Sequence, residues 1–261
     1  LYFSGLWGWQ APFLLIVAVS VVVGIAIAIF MRPINEHLKL QTESSPVKHL
    51  ISTVTQPKYA AAFLTTALLT IGGFMMMPFT SSYIVHNLGI DMDHLPMIYM
   101  ITGICSIVMG PLVGRACDAF GSLRMFVFGT IMTAIMVTIY VNLGTSPLLL
   151  VASVNVLMFV GIYSRMIPSQ TLISTVPAPA SRGAFMAVSS SLQQMAGGFA
   201  SVLAGLIVIE DSSGLIRHFD ILGYVVIGTS FFTLFLMWML FGSSPNISRG
   251  TPAEGLSLHG H

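Results

Sequence analysis

The residues with the clearest chemical pattern form a short polar segment between two long apolar stretches. Residues 110–124 read Gly-Pro-Leu-Val-Gly-Arg-Ala-Cys-Asp-Ala-Phe-Gly-Ser-Leu-Arg. Asp118 can pair with Arg115 or accept N–H bonds at the start of the next helix, and Gly121 permits a tight reversal. The first two glycines, four residues apart, clear one helix face for a close neighbour. The candidate functional residues of this segment are Gly110, Gly114, Arg115, Asp118, Gly121 and Arg124.

Catalytic and metal-binding patterns do not occur in the sequence. It contains no His-Glu-x-x-His motif, no phosphate-binding loop and no nucleophile elbow. His86 and His94 flank Asp91 and Asp93, but short polar loops commonly collect such residues. We therefore predict that the chain is not an enzyme and holds neither a metal nor a cofactor.

The composition indicates a membrane protein. Of 261 residues, 55% are hydrophobic and only 7% are charged, whereas soluble domains carry about 25% charged residues. The surface must therefore face the lipid bilayer. The ten lysines and arginines never cluster, so we predict no nucleic-acid partner.

Seven apolar stretches are long enough to cross a bilayer, which takes about 20 residues per helix. Their periodicity is helical, which predicts an all-α integral membrane fold. The predicted spans are Ala11–Met31, Tyr59–Val85, Leu95–Gly114, Met125–Leu143, Leu148–Val176, Ala184–Ile209 and Ile221–Gly242. Pro78 and Pro168 are internal and are expected to kink their helices.

The basic residues predict the orientation of the spans. Among the basic residues of the loops, Arg217 is the only one on one side of the membrane. Cytoplasmic loops carry the excess of Lys and Arg, so that side is predicted to be the outer one. We therefore expect residue 1 on the outer side of the inner (plasma) membrane of the cell and the C-terminus in the cytoplasm. The basic residues of the other side are Arg32, Lys39, Lys48, Lys58, Arg115, Arg124, Arg182 and Arg249.

The polar segment, with its glycines, Arg115 and Asp118, resembles a loop motif of major facilitator superfamily transporters. One span, a long linker and six further spans resemble the C-terminal half of that family, from helix six to helix twelve. The resemblance implies a last helix of the N-terminal bundle (1–32), a cytoplasmic linker (33–58), a six-helix bundle (59–242) and a disordered tail (243–261). It makes residues 110–124 a gating motif.

A second, softer resemblance concerns the fifth and sixth spans. Gly161–Pro168, Val176-Pro177 and Arg182-Gly183 before a small-residue helix resemble bacterial exporters of the same superfamily. The resemblance implies secondary active transport, in which two bundles alternate access of a small, amphipathic or drug-like solute. The chain would then need an N-terminal transporter half, on the same or another chain. The alternative is a half-size membrane scaffold or partner subunit, assembled as a homodimer without transport activity.

Eight residues are candidates for a solute cavity. Arg165 could contact a substrate anion or a coupling carboxylate, or could be an arginine that extends to the membrane surface. The methionines suit varied apolar ligands, or merely pack around the Pro78 kink. The glutamines share a small, polar helix face with Ser190, Gly197, Ser201 and Gly205. The candidates are Arg165, Gln194, Gln193, Asn155, Met75, Met76, Phe79 and Tyr83.

Overall fold

The computed structural model describes Gly8, residues 10–30 and residues 53–242, apart from the side chains of Pro12 and Ala180. The chain divides into two compact units, Leu1–Ser45 and Pro46–His261. In the first unit, α1 (Ala11–Phe30) coincides with the first predicted span and contains no charged residue. Most of the predicted linker and the whole predicted tail lie outside the described residues.

The second unit is helical, with one small hairpin. Its segments are α2 (Pro57–Phe74), α3 (Met77–Ser82), a π-helical turn (Tyr83–Asn87), a 3-10 turn (Met92–His94), α4 (Leu95–Phe120), α5 (Ser122–Val141), α6 (Leu148–Ile173), a 3-10 turn (Pro179–Ser181), α7 (Arg182–Ile207), β1 (Ile209–Glu210), β2 (Ile216–Arg217) and α8 (Phe219–Phe241). The strands pair antiparallel, with Ile209 opposite Arg217.

Six helical segments of the described residues are long and apolar enough to cross a membrane. They are Phe13–Phe30, Pro57–Asn87, Met92–Phe120, Ser122–Val141, Leu148–Ile173 and Phe219–Phe241. The all-α membrane fold is thus confirmed, with six such segments where seven were predicted. The predicted sixth span is a helix, α7, of 26 residues. Its serines, glutamines and glycines make it less hydrophobic than the others, although it packs against α2 and α8.

The helices of the second unit pack in two groups. One group joins α4, α5 and α6, the other joins α2, α7 and α8, and α5 contacts α8 between them. Gly161 of α6 faces Thr133 of α5, and a Cβ at Gly161 would lie 2.9 Å from the Thr133 amide nitrogen. Glycine therefore allows these two backbones to come into near contact.

We call the two ends of the unit the motif end, which carries Gly121, and the hairpin end, which carries β1 and β2. Apolar side chains form one buried cluster around Tyr83, Tyr140 and Phe219 toward the hairpin end. A second cluster around Phe126 and Phe185 lies toward the motif end. Every helix of the second unit contributes side chains to at least one of the two clusters.

Pro78 and Pro168 affect their helices differently. The Met75–Met76 step separates α2 from α3, just before Pro78. The interruption expected from the sequence is therefore present. Pro168 lies inside α6, which continues through it to Ile173. Membrane helices tolerate such prolines because neighbouring groups satisfy the freed backbone carbonyl.

Candidate functional site

The polar segment is a sharper turn than the sequence suggested. The expectation of a break from residue 110 was wrong in extent, because α4 continues to Phe120 and α5 begins at Ser122. Gly121 alone links the two helices, with φ +91°. Its N–H donates to the Cys117 carbonyl at 2.9 Å and its carbonyl accepts from Met125 at 3.1 Å. A positive φ of this kind favours glycine, as the sequence predicted.

Asp118 makes neither of its two expected contacts. It is exposed, and the ion pairs between described residues join Asp91 to His94 and Asp211 to Arg217. No side chain caps the start of α5. Neither the expected ion pair with Arg115 nor the expected helix cap is therefore present in this conformation. Continuation of α4 leaves both charges on the outside of a helix end, where water competes with an ion pair.

The glycine face of α4 is open. A Cβ at Gly103, Gly110 or Gly114 would meet no atom within 4 Å. The close neighbour expected at Gly110 and Gly114 is therefore not supplied by the described residues of this unit. Arg124 is exposed on the first turn of α5.

Arg165 lies inside the unit. Only 4% of its surface is exposed, and Nε and one terminal nitrogen have no hydrogen-bond partner among the described residues. Its Cζ lies 5.9 Å from the centroid of the Phe126 ring. An arginine that extended to the membrane surface would expose its guanidinium. The structure therefore favours the internal-contact interpretation of Arg165 over the alternative.

Four other candidates belong to the packed core. Met75 is 1% exposed and Met76 is 7% exposed, and both pack in the cluster toward the hairpin end. The Tyr83 hydroxyl donates to the carbonyls of the last turn of α5. Asn155 is fully buried, and its Oδ1 accepts a 3.0 Å bond from the Thr102 hydroxyl. Their roles as solute contacts stay predictions.

The remaining candidates lie nearer the surface. Phe79 and Gln193 are half-buried, whereas Gln194 is exposed in the middle of α7. Gly198 follows one turn later and has open space around it. The predicted single face of α7 is divided, because Gly197 packs against the Phe74 ring, 3.6 Å from where its Cβ would lie.

The polar contacts that hold the hairpin were not predicted from the sequence. The Asn87 side chain donates to the Ile216 carbonyl and accepts from the Ile216 N–H, both at 2.9 Å. Arg217 donates two hydrogen bonds to Asp211. The hydrogen bond from the Arg217 side chain has the largest effect on the pKa of Asp211, and the bond from the Ser212 backbone N–H has the next largest. Both hold that pKa below its usual range. A polar Asn at the end of an apolar helix was the available sign of such a contact. Its partner could not be identified, because the two residues are 129 positions apart in the sequence.

These long apolar helices, joined by short connections such as Gly121 and the β1–β2 hairpin, define a polytopic α-helical membrane protein. The family model described as Major Facilitator Superfamily matches residues 62–259, and the chain belongs to this family. No curated protein matches the sequence significantly. Because this family consists of transporters rather than enzymes, the protein is a membrane transporter in the general sense.

Proposed function

We propose that this chain forms one half of a secondary active transporter, and that it moves a small, amphipathic or drug-like solute by alternating access. The observation that carries the proposal is the uncovered polar face of α7. Gln194 is exposed at mid-helix, and Gly198 and Gly205 beside it have no neighbour within 4 Å. A polar side chain at mid-membrane depth is expected to face a cavity or another helix rather than lipid.

The open glycine face of α4 supports the same arrangement. Small residues at a helix surface allow another helix to approach closely. A second bundle that contacts both α4 and α7 could cover both faces. We propose that an N-terminal transporter half, on the same or another chain, supplies that bundle. The solute cavity would then lie between the halves, beside Gln194.

We also propose that the motif end faces the cytoplasm of a plasma membrane, with Arg115, Asp118 and Arg124 in the gating motif. All three side chains are exposed at that end of the unit. Charged side chains free to contact a second bundle could form an ion pair in one access state only. Asp118 would therefore act on the equilibrium between states rather than on the stability of this one.

The rival proposal is a half-size scaffold or partner subunit that transports nothing, assembled as a homodimer. The same open faces of α4 and α7 favour it, since a second copy could also cover them. The two proposals differ in whether the chain transports a solute once a second, different bundle is present.

Flux measurements on proteoliposomes separate the proposals. Two preparations would be reconstituted in parallel: the 261-residue chain alone, and the chain together with the proposed N-terminal half, which we call the full-length protein. Both would be tested with a panel of amphipathic cations, neutral amphiphiles and small carboxylates. We expect gradient-driven flux of at least one class with the full-length protein and none with the 261-residue chain alone. Robust flux by the isolated chain would contradict the half-transporter proposal. Absence of flux from both, together with a stable homodimer, would favour the scaffold.

A further inference from the structure

The Arg165 guanidinium is buried without a counter-charge among the described residues. It is 4% exposed, and two of its three nitrogens are buried without a hydrogen-bond partner. The described ion pairs use Asp91 and Asp211, which both belong to loops at the hairpin end. Arginine is always protonated in proteins, so the charge cannot be removed by titration. A buried charge of this kind requires a partner of opposite charge.

Arg165 belongs to a layer of buried polar side chains. With a rise of about 1.5 Å per residue, each member lies about 10–14 Å from the motif-end terminus of its helix. The layer separates the apolar cluster toward the hairpin end from the one toward the motif end. Five helices contribute its members, which are Thr66 of α2, Thr130 of α5, Ser164 and Arg165 of α6, Ser189 of α7 and Thr233 of α8.

A second group at this depth also lacks a partner. The Ser189 hydroxyl is buried and forms no hydrogen bond with the described residues. The three threonines differ, because each donates to a carbonyl of its own helix. Arg165 packs on the Phe126 ring, and Ser189 lies one turn beyond Phe185, which belongs to the same apolar cluster as Phe126. Arg165 and Ser189 therefore offer unused N–H and O–H donors on the same side of that cluster and at one depth of the bundle. Several donors without an acceptor make a suitable environment for an anion.

We propose that Arg165, together with Ser189, holds a small inorganic anion of chloride size inside the bundle. A monovalent anion would balance the single guanidinium charge, and a hydroxyl and two N–H groups would coordinate it. Gly129 of α5 lies against the backbone of Ser164 and Arg165 and closes the α5 side of the site, so we expect the site to admit small anions only. The anion is an internal counter-ion, so the proposal does not depend on the transported solute.

Thermal unfolding of the full-length protein in detergent tests this site. Tm would be measured in sodium chloride and in sodium gluconate at equal ionic strength, because gluconate is too large for the site. We expect Tm to be about 3–6 °C higher in chloride for the wild type. We expect no such difference for Arg165→Gln. Arg217→Gln, which removes an exposed arginine at the hairpin end, should retain the full response to chloride.

Equilibrium dialysis with radioactive chloride keeps the test decisive if Arg165→Gln does not fold. The wild type should bind one chloride per protein saturably, and Ser189→Ala should bind it several-fold more weakly. The proposal is overturned if the wild type binds no chloride, or if Arg165→Gln retains the chloride response. Stabilisation by formate but not by chloride would assign the site to a carboxylate group and overturn it as well. Neither measurement involves flux, so failure here leaves the proposed transport function untouched.

Discussion

Gly129 of α5 lies directly against the backbone of Arg165 in α6. A Cβ added at Gly129 would lie 2.7 Å from the Arg165 amide nitrogen and 2.5 Å from the carbonyl carbon of Ser164. Both are backbone atoms and cannot rotate away. The contact fixes the spacing of α5 and α6 at the depth of the only charged residue within the apolar helical core of the described chain.

Replacement of Gly129 by alanine should therefore destabilise the protein. We expect Gly129→Ala to lower the free energy of unfolding in detergent by about 1–3 kcal/mol, because the two helices must separate. Gly228→Ala is the matched control, since Gly228 lies within α8 and has no atom near its Cβ position. Equal stability of the two variants would show that the α5–α6 contact does not constrain the fold.

The bond between Thr102 and Asn155 should stabilise the packing of α4 against α6. Thr102→Val removes the one hydroxyl among the described residues that donates to Asn155 Oδ1, together with its bond to the Ile98 carbonyl of its own helix. We expect a loss of about 0.6–1.7 kcal/mol, which are the average and the maximum measured for hydrogen bonds between membrane helices. Thr138→Val is the control, because Thr138 donates only within its own helix. A double-mutant cycle with Asn155→Leu should give a coupling energy near that loss, and zero coupling would contradict the interpretation.

The helices could be predicted from the sequence because a long apolar stretch can be recognised without knowledge of the helices that it contacts. The turn at Gly121 was also predictable, since the tight reversal requires a positive φ, which glycine adopts readily. The extent of α4 was not, because Gly110, Pro111 and Gly114 suggest a loop in water but are tolerated within a packed membrane helix. The sequence indicated which residue types belong to the candidate site, but it did not indicate which residues they contact. The burial of Arg165 depends on α5, whose Phe126 ring and Gly129 lie against it, and no local pattern of the sequence encodes these contacts.

Asn87 should hold the hairpin against the end of the bundle. Asn87→Ala removes both side-chain bonds to the Ile216 backbone. We expect local opening to become easier by about 1–3 kcal/mol, measured as faster proteolytic cleavage within residues 211–215. Asn142→Ala removes an exposed amide at the same end and should leave the cleavage rate unchanged. Equal rates for the two variants would show that Asn87 does not fasten the hairpin.

Asp118 should affect transport rather than stability. Asp118 is exposed and forms no ion pair with the described residues. Asp118→Asn should therefore change the free energy of unfolding by less than about 0.5 kcal/mol. If Asp118 gates access, the equilibrium between access states should shift by about 1–3 kcal/mol, seen as altered flux by the full-length protein. Asp93→Asn, an exposed change at the hairpin end, is the control. Normal flux in Asp118→Asn would leave the segment as an ordinary turn.

Alternating access itself can be measured at Gln194 without knowledge of the solute. The full-length protein would carry Gln194→Cys in a cysteine-free background and would be placed in sealed vesicles. A membrane-impermeant maleimide would then be added from one side at a time. Ile135→Cys provides the control, because Ile135 is an exposed apolar residue of α5 and should contact lipid.

The central claim is that Gln194 lines a cavity which opens to each side of the membrane in turn. We expect Gln194→Cys to react from either side, Ile135→Cys to react from neither, and Asp118→Asn to change the ratio of the two Gln194→Cys rates. Failure of Gln194→Cys to react from either side would place α7 against lipid or in a permanently closed interface. That result would contradict the transport account directly.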